Sequence, residues 1–311
     1  MTDVVAPTSV PGSESAPPAT GTGGARRLLL RAAPYLGVLP FLGYVTLFLL
    51  WPTYIVITGA FQDENGAPTA SNLTAGLGGG EYLDAFVRSI LLSLATAVAG
   101  AVLGALLAWA VAEGNPDGLL HRTVIAGCGV LAQFGGVMLA FAFLATFGFT
   151  GVVTLFLADT LGVDLLGGGS WLYGLAGLVV VYTYFQIPLM LIVFLPALNG
   201  LRPQWREASE NLGGTGWAYW RHIGGPLLLP SFTGATLLLF ANAFSAYATA
   251  AALVSQGGPI APLQIRTALT SEVILGQANV GKALALGMIV VIAVVMTAYA
   301  LLQRRTSRWL R

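Results

Sequence analysis

The stretch RPQWREASENLGG, residues 202–214, is a polar segment set between two long apolar runs. Pro203 suits the first turn of a helix, and most of the residues that follow it are good helix formers. The glycine pair at 213–214 can adopt positive φ, a backbone conformation that commonly ends a helix. We therefore predict a short helix that begins near Pro203 and stops at this glycine pair.

A second short helix is predicted at residues 217–222, which include three aromatic side chains. A second glycine pair, at 224–225, is expected to end it. The whole segment 200–230 then folds as a helix, a sharp turn and a helix that lie outside the bilayer. This shape suits docking against another protein.

The composition of the chain indicates a multispanning membrane protein. Of its 311 residues, 56% are hydrophobic and 9% are charged, and the mean hydropathy is +0.79. Soluble domains carry about 25% charged residues, and long apolar runs are typical of membrane proteins. The single cysteine, Cys128, excludes a disulfide framework and a cysteine metal site. The net charge of +1 argues against nucleic acid as a partner.

Six apolar runs are long enough to cross the bilayer, since about 1.5 Å of rise per residue spans about 30 Å of hydrocarbon in roughly 20 residues. They are residues 34–61, 87–112, 124–147, 172–195, 227–254 and 283–303. We predict an all-α polytopic fold with four regions. These are a disordered cytoplasmic tail (1–33), a first transmembrane helix with an extracytoplasmic loop (34–84), a transmembrane domain (85–303) and a basic cytoplasmic tail (304–311).

The distribution of basic residues predicts the orientation. Six spans place both termini on one side of the membrane. If that side is the cytoplasm, all but three of the 14 basic residues are cytoplasmic, the exceptions being Arg88, Arg266 and Lys282. The opposite orientation would reverse this bias, against the positive-inside rule. Segment 200–230 is therefore expected to be cytoplasmic.

The sequence lacks the residue clusters that catalysis requires, so we predict that the chain is not an enzyme. Residues 276–283 resemble a phosphate-binding loop, but Ala283 replaces the Ser or Thr that holds magnesium. His121 and His222 are not spaced as a pair of metal ligands, so no metal site is expected. The spans also lack the ionisable groups typical of ion-driven carriers, which weighs against a secondary transporter.

Several polar residues do fall within the predicted spans. Gln133 lies in the third span; Tyr182, Tyr184 and Gln186 lie in the fourth, and Asn242, Ser245 and Tyr247 lie in the fifth. Those of the fourth and fifth spans are candidates for lining a solute pathway, but hydrogen bonding between packed helices explains them equally well. The G-x-x-x-G pattern at residues 100–104 predicts close helix packing.

Segment 200–230 resembles the EAA loop of the permease subunits of binding-protein-dependent ABC importers. Glu207, Ala208 and Gly213 match that pattern in type and spacing, and Pro226 falls where its closing proline is expected. Leu212 and Trp217 also fit the pattern. Ser209, which replaces a second alanine, and Gly225, which replaces an apolar residue, depart from it.

The resemblance extends from near Glu81 to near Gln303. Residues 81–113 are similar to the first core helix of the family, and Pro188 and Pro196 lie in a segment that is similar to the lead-in to its loop. The third span departs from the family because it lacks prolines around residues 132–136, where a kink is expected.

The resemblance implies a five-helix importer core with a coupling helix that docks into a cytoplasmic ABC ATPase dimer. The residues that would make this coupling contact are Glu207, Ala208, Ser209, Leu212, Gly213 and Trp217. It also implies a second permease subunit, an extracytoplasmic solute-binding protein, and location in the bacterial inner membrane. ATP and magnesium would bind the partner ATPase, with no cofactor on this chain.

The same resemblance favours a small cargo such as a polyamine, a phosphonate or iron. A sugar-type importer permease is the alternative within the family. An ATPase-independent carrier or channel is the alternative from another class.

Overall fold

A computed structural model describes residues 38–63, 65–78, 80–164, 171–254, 260–270 and 277–309. The predicted tail at 1–33 lies outside these residues. Nearly all of the described part is helical, and it contains no strand beyond an isolated bridge between Gln62 and Pro68. The expectation of an all-α fold is confirmed.

Twelve helices make up the described residues. They are α1 (Val38–Ala60), α2 (Ser71–Leu77), α3 (Glu81–Ala112), α4 (Leu119–Gln133), α5 (Gly136–Phe147), α6 (Val152–Leu161), α7 (Leu175–Asn199), α8 (Pro203–Asn211), α9 (Gly216–Ser245), α10 (Ala248–Leu253), α11 (Ala261–Thr270) and α12 (Gln277–Trp309). A turn of 3₁₀ helix, Trp171–Tyr173, precedes α7.

Six segments of the described chain are long and apolar enough to cross a membrane. They are α1, α3, the α5–α6 segment Gly136–Leu161, α7, α9, and Ala278–Arg304 within α12. Their number agrees with the prediction from hydropathy, and the chain is a multi-pass membrane protein. The third segment differs from the predicted third span, residues 124–147, because it contains α5 and α6 and not α4. The contacts divide the chain into two compact units, Met1–Tyr54 and Ile55–Arg311, and all the packing described below lies within the second unit.

Helix α3 packs along α7 through the predicted G-x-x-x-G face. A methyl group built on Gly100 would lie 2.6 Å from Cβ of Gln186, and one built on Gly104 would lie 2.5 Å from Cβ of Met190. Both distances are too short for a real contact, so the two backbones approach closely because these residues lack a side chain. Helix α9 adds Leu239 and Phe244 to the same buried core.

The third span that the sequence predicts, residues 124–147, is not a single helix. It consists of α4 and α5, which are separated at Phe134 and Gly135. Gly136 has a φ of +69°, a conformation that glycine adopts without strain. The chain therefore breaks where the family's prolines are missing, and a glycine with positive φ stands at the break.

The second short helix of the polar segment does not end at the glycine pair 224–225, and that prediction was wrong. Residues 216–219 pass through a π turn, Trp220–Gly224, directly into the membrane-spanning part of α9. A methyl on Gly224 would lie 3.0 Å from the Trp220 ring, and one on Gly225 would lie 2.5 Å from the Trp220 carbonyl. These glycines accommodate a bulged helix packed against an indole, and they do not break it.

The fifth span also departs from the predicted continuous run at 227–254. Helix α9 ends at Ser245, and α10 begins two residues later. The ψ of Ala246 is 93°, which is outside the helical region.

At the opposite end of the bundle from α8, asparagine amides join the loop after α1 to its neighbours. The Asn72 amide donates to the Gln62 carbonyl over 2.7 Å, and the Asn279 amide donates to the same carbonyl over 3.0 Å. Asn72 is buried, so its amide serves to hold the loop after α1 in place. Helix α11 is fixed to α3 by a bond of 2.7 Å from the Ala261 amide to Ser89 Oγ.

Candidate coupling loop and polar membrane residues

Helix α8 is a separate three-turn helix beyond the end of α7. Pro203 occupies its first turn, and Arg202 before it is extended. None of its nine residues is buried. The chain thus leaves the bundle at Leu201, forms an exposed helix and returns to the bundle in α9.

The end of α8 is a Schellman motif, in which a residue with positive φ follows the last turn. Gly213 has a φ of +80°. The Gly213 amide donates to the Glu210 carbonyl and the Gly214 amide donates to the Ser209 carbonyl, each over 2.9 Å. The predicted glycine stop at 213–214 is therefore present, and its hydrogen bonds fix the direction in which the chain leaves α8.

Two large apolar side chains on either side of this turn are exposed. Leu212 is 89% exposed and Trp217 is 73% exposed. Glu207 and Ala208 are also exposed on α8, and Ser209 is half-buried. After the turn, Thr215 caps the next helix by accepting a bond from the Ala218 amide. The six predicted coupling residues thus lie on α8, on the turn that ends it and at the start of α9.

Arg206 links α8 to the core, a contact that the sequence analysis did not identify. Its Nη1 lies 3.7 Å from Oε1 of Glu113, the residue that follows α3, and its Nε lies 3.2 Å from Oε1 of Glu210. The pair with Glu210 has the i, i+4 spacing of a helical ion pair and could be inferred from sequence. The pair with Glu113 joins residues 93 positions apart, and no local signal indicates it.

A cavity of about 750 Å³ lies between α8 and the adjacent ends of α7 and α9. Trp205 and Ala208 line it from α8, and Leu201, Ile223 and Leu227 are among the apolar residues on its other walls. The guanidinium of Arg202 lies 6.0 Å from the centre of the Trp205 ring. The inner face of α8 is therefore apolar, whereas Glu207 is exposed.

The polar residues predicted in the spans separate into two groups. Tyr182 and Gln186 are buried in α7. The Tyr182 hydroxyl donates to the carbonyl of Ala246, and Gln186 Nε2 donates to Thr96 Oγ1 over 3.0 Å. Gln186 Oε1 is buried without a hydrogen-bond partner. These two residues therefore form hydrogen bonds between packed helices, which is the alternative to lining a solute pathway.

The other four predicted residues lie on the surface of the described chain. They are Tyr184, Asn242, Ser245 and Tyr247. The Tyr184 ring packs edge-on against Phe143, with ring centres 5.5 Å apart. Ser245 Oγ donates within its own helix, to the carbonyls of Ala241 and Asn242.

Solved structures with the same fold come from bacterial ABC transporters. One is a bacterial ABC transporter involved in the import of the acidic polysaccharide alginate. It has a TM-score of 0.70 and 18% identity, and the match covers 91% of this chain and 98% of that one. A second structure of the bacterial alginate ABC transporter, in complex with an alginate pentasaccharide-bound periplasmic protein, has a TM-score of 0.67 and 18% identity, and the match covers 91% of this chain and 96% of that one.

A curated relative matches over a shorter segment. It is the thiamine transport system permease protein of Salmonella typhimurium, 29% identical over 87 residues. The match spans 28% of this chain and 16% of the length of that relative. No protein-family model matches the chain. The chain agrees with the alginate transporter structures over nearly its whole length. It therefore has the transmembrane fold found in ABC importers, as the resemblance of its polar loop predicted.

Proposed function

We propose that this chain is a permease subunit of a binding-protein-dependent ABC importer, contributing half of a translocation pathway for a small solute. It performs no chemistry of its own. ATP and magnesium bind a separate cytoplasmic ATPase dimer, which engages the turn at residues 207–217. A second permease subunit, identical or paralogous, completes the pathway, and a solute-binding protein delivers the cargo from outside the inner membrane.

The observation that carries this proposal is the exposed apolar turn at the end of α8. Leu212 and Trp217 project on either side of a rigid Schellman cap. Large apolar side chains beside a polar rim commonly mark a protein interface, and tryptophan is enriched among the residues that dominate binding energy. A cleft in a partner ATPase would bury both side chains, and Glu207 would lie on the exposed polar rim.

The connections of α8 support a role as a lever. One end continues through Leu201 into α7, and the other continues through Thr215 into α9. Arg206 adds a third link, to the end of α3 at Glu113. A displacement of α8 by the ATPase would therefore act on three spans that share one buried core.

The experiment that tests coupling compares two substitutions of glycine by tryptophan. Gly213→Trp places a bulky residue at a φ of +80°, at the proposed ATPase contact. Gly66→Trp is the matched control, since Gly66 also has a φ of +80° and open space around it but lies in the loop between α1 and α2. We expect Gly213→Trp to abolish ATP-dependent uptake and the control to retain it.

Co-purification with an ATPase subunit is the second arm of this test. We expect the unmodified chain to retain the ATPase and Gly213→Trp to lose it. Normal uptake by Gly213→Trp would refute the coupling role. Solute movement by the purified chain in vesicles without nucleotide would favour the carrier or channel alternative.

For the cargo, we propose a small organic or inorganic solute of the polyamine, phosphonate or iron kind. The partial similarity to a thiamine permease supports a small cargo. The fold shared with the alginate transporter keeps a saccharide as the alternative. Uptake by cells that express the complete importer, measured with labelled putrescine, phosphonate, ferric iron, thiamine and oligosaccharide, would distinguish these cargoes.

A further inference from the structure

Two interruptions of membrane helices lie against each other in this structure. The first separates α4 from α5, where the amides of Phe134 and Gly135 donate to the nearby carbonyls of Leu131 and Gln133 and not to carbonyls one full turn back. The second separates α9 from α10 at Ala246. A methyl group on Gly136 would lie 3.7 Å from Cβ of Ala248, so the two breaks adjoin.

Taken together as the third span that the sequence predicts, α4 and α5 place the first break near the middle of the membrane. Helix α4 has 15 residues and α5 has 12, which correspond to about 22 Å and about 18 Å of rise. Together these approach the thickness of a bilayer with its headgroup layers, about 40–45 Å. The second break follows the 21 residues of Gly225–Ser245, about 31 Å of rise, so it lies beyond the midpoint and adjoins the first break through Ala248.

Non-helical backbone at this depth is tolerated where it is buried in protein or lines a water-filled cavity, because lipid cannot hydrogen-bond to it. The buried side of the second break is satisfied, since the Tyr182 hydroxyl donates to the Ala246 carbonyl. The other side is exposed. Gln133, Asn242, Ser245 and Tyr247 lie next to the two breaks, and all four are exposed.

Exposed amide and hydroxyl side chains beside broken helices are unfavourable in contact with hydrocarbon. Residues 124–147 and 225–254 also contain no charged residue. We infer that the surface formed by Gln133, Asn242, Ser245 and Tyr247, here called the break surface, is the solute-contacting part of this chain's pathway. It presents neutral hydrogen-bonding groups to a polar, water-soluble solute and supplies no counter-charge to it.

This inference rests on the proposed function. It adds which residues of this chain contact the solute and that these residues are uncharged. A neutral surface of amides and hydroxyls holds a solute weakly, so that the solute can leave again. Selection among solutes then falls to the binding protein. Tyr184, which packs against Phe143, is not part of the break surface.

Cysteine accessibility tests the inference directly. Cys128 is replaced by Ala, and Ser245→Cys and Asn242→Cys are made separately in the full-length chain. Leu103→Cys is the control, since Leu103 is 47% exposed on the apolar face of α3. Membrane vesicles are treated with the impermeant cationic reagent MTSET and the anionic reagent MTSES. Labelling rates are compared only for variants that purify in the same yield as the parent chain. If Ser245→Cys does not fold, Asn242→Cys alone tests the inference.

We expect both break-surface cysteines to react with MTSET roughly tenfold or more faster than the control, because only the thiolate attacks these reagents and a thiol in hydrocarbon stays protonated. The ratio of MTSET to MTSES rates should match that of a free thiol in solution, since residues 124–147 and 225–254 carry no charge. Equal rates at Ser245→Cys and Leu103→Cys would refute the pathway assignment. A strong preference for one reagent would refute its neutrality.

N-ethylmaleimide, which crosses membranes, identifies the reason for a negative result. If the cysteines react with N-ethylmaleimide but not with MTSET, the break surface faces lipid. If they react with neither reagent, a partner subunit covers the break surface. Either result overturns the inference. Labelling needs no nucleotide. It can therefore succeed even if the Gly213→Trp test disproves coupling, and it can fail while coupling stands.

Discussion

Glycine has two different roles in this molecule at the scale of single residues. Gly100 and Gly104 permit the backbones of α3 and α7 to approach, whereas Gly136 and Gly213 supply positive φ where a helix begins or ends. The first role depends on the neighbouring helix and the second on the local backbone. Substitution by alanine should distinguish them.

Gly104→Ala is expected to destabilise the bundle. The new methyl would lie 2.5 Å from Cβ of Met190 and 2.7 Å from the carbonyl oxygen of Ile187. Overpacking of this kind costs about 1–3 kcal/mol. Gly129→Ala, in α4 with nothing within 4 Å of the new methyl, is the control. Thermal unfolding in detergent should show a lower Tm for Gly104→Ala alone, and equal Tm values would contradict the close approach.

Tyr182→Phe tests the hydrogen bond that satisfies the break between α9 and α10. Removing the hydroxyl leaves the Ala246 carbonyl without this donor, and an unsatisfied buried acceptor costs about 1–3 kcal/mol. Tyr184→Phe is the matched change on the same helix, at a ring that is 38% exposed. We expect a lower Tm for Tyr182→Phe than for Tyr184→Phe, and the reverse order would count against the assigned role of the hydroxyl.

At the scale of elements, the polar loop combines a rigid end with a weakly held body. The Schellman cap at Gly213 fixes the turn through two backbone hydrogen bonds. The ion pair between Arg206 and Glu113 is about half-exposed on both sides, and such pairs contribute about 0–1 kcal/mol. The direction of the turn is therefore set locally, while the position of α8 against the core is only lightly constrained. Small displacements of α8 are then inexpensive.

Gly213→Ala should loosen the cap without unfolding the bundle. An L-residue at a φ of +80° is strained, with a cost of about 1 kcal/mol. Hydrogen exchange should become faster at the amides of residues 212–214 and stay unchanged in α3 and α7. Gly216→Ala, where the added methyl has open space and no positive φ is required, is the control. Unchanged exchange at 212–214 would contradict the importance of the cap.

At the scale of the whole molecule, the two ends of the bundle differ in construction. One end carries the protruding α8 and its exposed apolar turn. The other end is closed by α2, α11 and the start of α12, with Asn72 and Asn279 meeting at the Gln62 carbonyl. One end is thus suited to docking, and the other is held together by its own hydrogen bonds.

The basic residues predict which end faces the cytoplasm. In intact cells, a membrane-impermeant maleimide should label Asn65→Cys, in the loop after α1, and should not label Glu210→Cys in α8. Both variants carry Cys128→Ala. Permeabilised cells provide the control, in which both positions should react. Labelling of Glu210→Cys in intact cells would invert the orientation and refute the docking of a cytoplasmic ATPase.

The sequence by itself determined the class of fold, the number of spans and the helix that ends at Gly213. These follow from hydropathy over spanning lengths and from the backbone freedom of glycine, which are local properties. Only the tertiary structure decided that Tyr182 and Gln186 are buried, that Gly224 continues a helix, and that the breaks at Phe134 and Ala246 adjoin. Gly224 continues a helix because the chain forms a π turn in which Trp220 packs against it, which a glycine pair does not by itself predict. The other two features depend on contacts between residues far apart in the chain, which local patterns do not encode.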